Sequence, residues 1–345
     1  METPFLQKIE KVLFAVRRRV EYDKMRTKSL LPHEFAVCGS YSTGNLGDKA
    51  IGEAIQAGLQ QAGRTCRLYS HRSDNPRGKY RILGGGGVLH DYQPEILERR
   101  LAYVRDGGAA IGVGALTISN EKYRTRIGEA LDSAALVTVR DRYSKEILQP
   151  LTETNIEVTA CPAFTLEPSE AVPGYTTGVN FRPWFNQSQE FLSRYYNYSV
   201  DPNEAHDEYI KNINKILDEV NDPVFIPFDH DDYLFAKKYL DIPVLSYTYS
   251  VNKTLKRVNS VSQMICMRYH SLVFASICNV PSFVVRYAPK VDELVSIVDV
   301  PSTQPTEFQK PTFEEPNHVC ELRKESNRNF ELVNDIAFRE GAGYH

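Results

Sequence analysis

From residue 35 onward the chain alternates short apolar runs with amphipathic stretches. The runs at 35–39, 66–69, 81–83, 109–113 and 136–139 have the length and flanking breaks of strands. Between the first two, Ile51, Ala54, Ile55, Leu59 and Ala62 recur at helical spacing and Gly63 follows as a stop, which predicts a helix over 46–61. Similar spacing predicts helices near 94–104, 121–131 and 143–148. A proline-bearing, strand-poor passage over 161–174 breaks the rhythm. It then restarts with strands at 177–181, 224–227, 244–247, 264–267 and 283–286, and helices over 204–220, over 232–240 and from His270. Such alternation predicts an α/β protein whose parallel sheets are covered by helices on both faces. The simplest architecture is two Rossmann-like, doubly wound domains facing each other across a cleft. They are expected to span 31–168 and 169–306, with a tail over 307–345 whose helix, near 319–336, can fold back across the domain junction.

The first thirty residues stand apart. Phe5, Leu6, Ile9, Leu13, Phe14 and Val20 recur near helical spacing, and Lys8, Lys11, Arg17, Arg18, Arg19, Lys24, Arg26 and Lys28 make the segment basic. Two readings are open: an amphipathic helix packed on the protein or on a second subunit, or an interfacial helix lying on an anionic membrane.

At 345 residues the chain exceeds the size at which one core usually keeps growing, which agrees with two domains. A net charge of −3 argues against a protein that tracks nucleic acid by overall electrostatics. The six cysteines include no C-x-x-C pair, so neither a zinc site nor a disulfide framework is expected. No apolar stretch approaches the roughly 20 residues of a spanning helix, and residues 1–20 lack a signal-peptide pattern. The expected location is therefore cytoplasmic, with peripheral contact to the inner membrane face if residues 1–30 bind lipid.

In sheets of this kind ligands bind beyond the carboxyl ends of the strands, so chemistry is sought there. Gly39-Ser40-Tyr41-Ser42-Thr43-Gly44-Asn45-Leu46-Gly47-Asp48 follows the first strand, where free N–H groups at a helix start can hold an anion. It matches neither the P-loop nor the dinucleotide fingerprint, and a purely structural turn, with Asp48 favouring the helix dipole, is an equal reading. Gly84-Gly85-Gly86-Gly87 is expected to follow its strand as a turn, flush against a ligand or against another backbone, with His90 and Asp91 next. Met267-Arg268-Tyr269-His270-Ser271 ends an apolar strand and enters a helix, and Arg286-Tyr287-Ala288-Pro289-Lys290 does the same twenty residues on. There a guanidinium can grip carboxylate or phosphate and an imidazole can move a proton near neutral pH. His230-Asp231-Asp232 reads as a helix cap or a sugar contact before it reads as a metal site. Trp184, Tyr195, Tyr196 and Tyr198 offer a stacking surface or core packing.

With these segments laid out, the chain resembles the polysaccharide pyruvyl transferase family. The resemblance rests on Gly44-Asn45-Leu46-Gly47-Asp48-Lys49-Ala50-Ile51, on Gly84-Gly85-Gly86-Gly87 with Asp91, and on Arg268-Tyr269-His270-Ser271 leading through Asn279-Val280-Pro281 to Tyr287 and Lys290. Val139-Arg140-Asp141 with Ser144, Pro162-Ala163-Phe164 and Val179-Asn180-Phe181-Arg182 are lesser echoes. The chain departs from the family in Tyr269, commonly Leu, and in Cys161, commonly Asp.

The resemblance implies a fold similar to GT-B glycosyltransferases and a reaction in which phosphoenolpyruvate gives its three-carbon unit to two hydroxyls of a sugar, releasing phosphate. On that basis His270, Lys290 and Arg268 are the expected catalytic residues. Arg268, Arg182, Lys290, Asn45, Gly47, Asp48, Gly85 and Gly86 are expected to bind the donor, and Asp91, His230, Asp231 and Tyr287 the acceptor. No cofactor or metal is expected, because phosphoenolpyruvate is a co-substrate and an anionic donor needs cations and backbone donors. The expected acceptor is a lipid-linked or nucleotide-linked galactose-type sugar, in a protein free to form a homo-oligomer. A nucleotide-sugar glycosyltransferase is the alternative reading.

Overall fold

The structure, a computed structural model, describes residues 4–71, 77–168 and 170–341, with side chains described from 12 to 336. The side chains of Phe5, Leu6, Lys8, Ile9 and Lys11 thus lie outside the described ones. The chain divides into two compact units, one of Met1–Thr165 with Cys320–His345 and one of Leu166–Val319.

The first unit holds α1 (Pro4–Lys28), β1 (Phe35–Gly39), α2 (Leu46–Gln61), β2 (Cys66–Ser70), β3 (Tyr80–Leu89), α3 (Pro94–Leu101), β4 (Ala109–Ala115), α4 (Glu121–Asp132), β5 (Leu136–Val139), α5 (Arg142–Leu148) and β6 (Glu157–Val158). Its sheet runs β2-β1-β3-β4-β5-β6 with every pair parallel. The second unit holds β7 (Thr177–Val179), α6 (Gln189–Tyr196), α7 (Pro202–Asp218), β8 (Pro223–Phe225), α8 (His230–Tyr239), α9 (Val251–Val258), β9 (Gln263–Cys266), α10 (Tyr269–Ile277), β10 (Ser282–Val285), α11 (Pro289–Val298) and β11 (Ser302–Thr303). Its sheet runs β11-β10-β9-β7-β8, again parallel throughout. Two parallel sheets with interleaved helices make this an α/β protein. The last helix, α12 (Val319–Gly341), groups almost wholly with the first unit. There buried Asn329 accepts from Thr138 and Thr159, Ser326 donates to the Cys161 carbonyl, and Phe330 lies against Gly58.

The helix over 46–61 forms as its spacing predicts. Asn45 caps it by accepting from the backbone N–H of Gly47 and Asp48, and Ile51, Ala54, Ile55 and Leu59 are all buried. Two of the expected elements form differently. The glycine run is not a turn after a strand but part of β3, because Gly84, Gly86 and Gly87 pair with Ile111, Val113 and Gly114 of β4. Glycine is a poor strand former alone, and here pairing with a fully buried neighbour overrides the propensity. The segment over 244–247 is not a strand: Val244 makes a single parallel bridge to Phe225, and Pro243 beside it has no N–H to extend the ladder.

Of the two readings open for the aromatic residues near 184–198, core packing is the one that three of them take. Trp184, Tyr195 and Tyr196 are buried, with Trp184 fully so. Among the described residues no helix is long and apolar enough to cross a membrane.

Candidate active site

In each sheet the strand order reverses between the first and third strands of its unit, and at such a switch point the carboxyl ends splay apart to admit a ligand. In the second unit those strands are β7 and β9. Arg182 follows β7 and Arg268 follows β9, so the switch point presents two guanidinium groups. The neighbouring strand β10 is followed by Arg286 and Tyr287, and Lys290 sits in the first turn of α11.

These groups converge. The Arg182 guanidinium carbon lies 4.5 Å from the Tyr287 ring centroid and 5.7 Å from that of Tyr196. The Lys290 ammonium lies 5.7 Å from the Tyr287 ring. Tyr287 is 2% exposed. Arg268 is held by Asp232: its Nε and Nη2 each donate at 2.6 Å to the two carboxylate oxygens, and Asp229 stands 3.7 Å away. Asp232 is fully buried and also accepts from Asn180 Nδ2 and the Phe228 N–H. Asn180 Oδ1 in turn takes the N–H of Arg268, tying β7 to the start of α10.

The two arginines are therefore unlike. One edge of the Arg268 fork is committed to a carboxylate, in the bidentate geometry that fixes a guanidinium most firmly. Arg182 faces two aromatic hydroxyls and no carboxylate within ion-pair distance among the described residues. Its Nη1 reaches Tyr196 at 3.4 Å, and its Nε is buried with no hydrogen-bond partner among them. A buried guanidinium donor left unsatisfied costs free energy that an incoming anion recovers.

The electrostatics follow from this packing. Burial alone would push the Tyr287 phenol up, but Lys290, Arg182 and Arg268, with a hydrogen bond from Arg182, outweigh it and bring the phenol down to about 7. Asp229 moves the other way: burial and its neighbour Asp232 raise it, against the pull of Arg268, to about 6. Burial opposes the charge on Arg268, yet the two carboxylates more than offset it and keep the group firmly cationic. A phenol and a carboxyl whose ordinary values lie far apart thus both titrate near neutrality, a pattern that clusters at functional sites.

The other predicted residues fall as follows. His270, in the first turn of α10 two residues past Arg268, is buried with its ring 5.1 Å from Tyr269. His230 is buried at the start of α8 with its ring 6.0 Å from Tyr247, whereas Asp231 is exposed. The acids that reach Arg268 are Asp229, which caps α8, and Asp232 on the same helical face. Sequence reasoning missed both roles, although their i, i+3 spacing at a helix start was the available signal.

In the first unit the predicted residues largely serve the fold. Asn45 spends its carboxamide oxygen on the α2 cap that contains Gly47 and Asp48, and Asp91 accepts from the N–H groups of Ser119 and Asn120. Gly85 has a positive φ of 44°, and a side-chain carbon there would meet Ile51 Cγ2 at 2.2 Å. Gly86, at φ 82°, lies against the Asp48 carboxylate, and Gly87 faces open space. Buried Arg100, which no motif announced, donates to Ser40 and the Val88 carbonyl and meets His90 at 3.0 Å. Among the described residues no group of three or more His, Cys, Asp or Glu side chains is placed to hold a metal ion.

A family model described as polysaccharide pyruvyl transferase matches residues 45–289. No curated protein matches. Among solved structures, UDP-GlcNAc 2-epimerase from Methanocaldococcus jannaschii is 12% identical over 87% of this chain and 99% of its own, with a TM-score of 0.49. A functionally uncharacterised protein of Klebsiella pneumoniae is 14% identical over 81% of this chain and 93% of its own, at 0.47. A glycosyltransferase involved in lipopolysaccharide biosynthesis is 11% identical over 90% and 95%, at 0.42.

Proposed function

The chain belongs to the polysaccharide pyruvyl transferase family, and we propose that it moves the three-carbon unit of phosphoenolpyruvate onto two hydroxyls of a sugar in a surface-polysaccharide precursor, as a cyclic ketal. The observation that carries the reading is the cluster of Arg182, Arg268 and Lys290 around Tyr287, in which Arg182 Nε is a buried donor without a partner. A donor bearing both a carboxylate and a phosphate suits several cations at adjoining strand ends.

In the proposed reaction a proton is added to the enol methylene, which becomes a methyl group and leaves the adjacent carbon oxocarbenium-like. One sugar hydroxyl adds to that carbon and the bond to phosphate breaks. A second hydroxyl closes the ring. Of the two hydroxyl protons, one replaces the proton delivered to the methylene and the other leaves with phosphate.

His270 is proposed as the general acid and base. Arg182 and Lys290 hold the donor's anionic groups, and Arg268, braced by Asp232, contributes its remaining face. Tyr287 is proposed on the acceptor side. Where it is ionised, its phenolate competes with the donor for the same three cations. Donor binding is therefore coupled to proton uptake at Tyr287.

Incubation of the protein with phosphoenolpyruvate and a series of lipid-linked and nucleotide-linked galactose-type sugars tests the reading. Phosphate release that requires the sugar, with a product heavier by one pyruvyl unit, is the expected result. Turnover with nucleotide sugars and none with phosphoenolpyruvate would reassign the chain to glycosyl transfer.

A further inference from the structure

The helix α1 has two faces of different character. At about 100° per residue, Phe14, Arg18, Glu21 and Met25 share one side, and this side meets the first unit. Phe14 and the stem of Arg18 close over Gly44, Glu21 pairs with Lys49 at 3.3 Å, and just beyond the helix the Ser29 carbonyl accepts from Tyr69. The opposite side of the middle turns carries Val12, Leu13, Val16 and Val20 within about a 100° arc, and these are 57%, 54%, 53% and 45% exposed. Leu30 and Leu31, just past the helix, are 57% and 52% exposed.

The flanks of this apolar arc are basic on both sides. Arg19 and Arg26 border one edge, and Arg17, Lys24 and Lys28 border the other, all exposed. Asp23, which continues the arc toward the C-terminus, is paired with Arg19 at 3.0 Å. A contiguous aliphatic strip left in water marks an interaction surface. Its charge pattern selects the partner. A two-fold contact with a second copy would bring a basic flank against its own image, and stable helix seams are bordered by charges of both signs. A surface of negative headgroups over an apolar interior complements both features at once, with the long basic side chains reaching outward to the headgroups.

We propose that this face of α1 docks the protein onto an anionic lipid surface, with Val12, Leu13, Val16 and Val20 entering the headgroup boundary and the flanking Arg and Lys side chains meeting lipid phosphates. The proposal concerns where the protein sits and does not depend on the transferase reaction.

The test is flotation of the full chain with vesicles of mixed phosphatidylcholine and phosphatidylglycerol, against phosphatidylcholine alone. The chain is expected to float with the anionic vesicles only, and less so as the screening length shortens from about 30 Å at 0.01 M to about 8 Å at 0.15 M salt. The double variant Val16→Glu with Val20→Glu should lower partitioning by about tenfold or more without moving the unfolding midpoint, since both side chains already face water. Arg17→Glu with Lys24→Glu should remove the preference for anionic vesicles and likewise leave folding intact. Native chain that stays unbound at low salt overturns the proposal. So does equal binding to both vesicle types, and so does a sedimenting dimer that Val16→Glu with Val20→Glu dissociates.

Discussion

The two units share a strand order, and each reverses it between its first and third strands, yet they use the resulting strand ends differently. In the first unit the polar groups near the ends of β1 and β3 go mostly to closing the fold: Asn45 caps α2, Tyr41 donates to the Gly84 carbonyl, Ser40 accepts from Arg100, and Asp91 braces Ser119 and Asn120. In the second unit the ends of β7, β9 and β10 gather Arg182, Arg268 and Lys290 around one buried phenol, and the carboxylates beside them, Asp232 and Asp229, both lie against Arg268. Topology decides where an opening forms. What remains there after backbone groups are satisfied decides its chemistry, and in the second unit the remainder is positive charge.

The sharpest way to break this comparison is His270→Ala. Loss of a positioned proton carrier typically lowers rate by about 10²–10⁴, so turnover in a coupled phosphate-release assay should collapse in a chain that still folds and still binds the donor. Near-normal turnover would remove His270 from the chemistry.

Next in size is Asp232→Ala, which strands the Arg268 guanidinium. Breaking a buried ion pair from one side costs about 3–5 kcal/mol, measurable by urea unfolding, and Arg268→Met in the same background should recover part of it. A loss under about 1 kcal/mol would mean that Arg268 finds solvent without Asp232.

In the first unit the contrast lies between neighbouring glycines. Gly85→Ala forces a side chain into a left-handed backbone and onto Ile51, and should cost about 1–3 kcal/mol. Gly87→Ala meets nothing within 4 Å and should change stability by no more than about 0.5 kcal/mol. If Gly87→Ala spares stability but weakens phosphoenolpyruvate use, the first unit also carries ligand-binding surface and the contrast narrows.

The remaining effect is on pH. With the Tyr287 phenol at about 7 in the free protein, an entering anion raises it, so this group should cost no affinity below pH 7. Above that, affinity should fall by about tenfold per unit, because the phenolate must first take up a proton. Calorimetric titration of sulfate, which stays a dianion between pH 6 and pH 9, checks the slope above pH 7, and Tyr287→Phe should abolish it. A slope unchanged in that variant would assign the linkage to another group.

Much of this was legible in the residues. The apolar periodicity of Ile51, Ala54, Ile55 and Leu59 and the cap at Asn45 defined α2, and the alternation of runs defined two parallel α/β sheets. Arg182, Arg268 and Lys290 could each be placed at a strand end, and the structure brings all three to Tyr287. What stayed hidden was pairing. Arg182 and Tyr287 are over a hundred residues apart, Arg268 and Asp232 are thirty-six, and no local pattern links them.

The glycine run shows the same limit from the other side. Local propensity ends the strand at Leu83, whereas β4, lying alongside, continues it through Gly87. Periodicity and capping are contests between a residue and its near neighbours in the chain, so the sequence by itself determined the elements, their order and the stock of cations. Burial, register and the balance of charge around a group depend on neighbours that only folding supplies. The tertiary structure alone therefore decided that one arginine is spent on a carboxylate, that another keeps an open donor, and that Tyr287 titrates near neutrality.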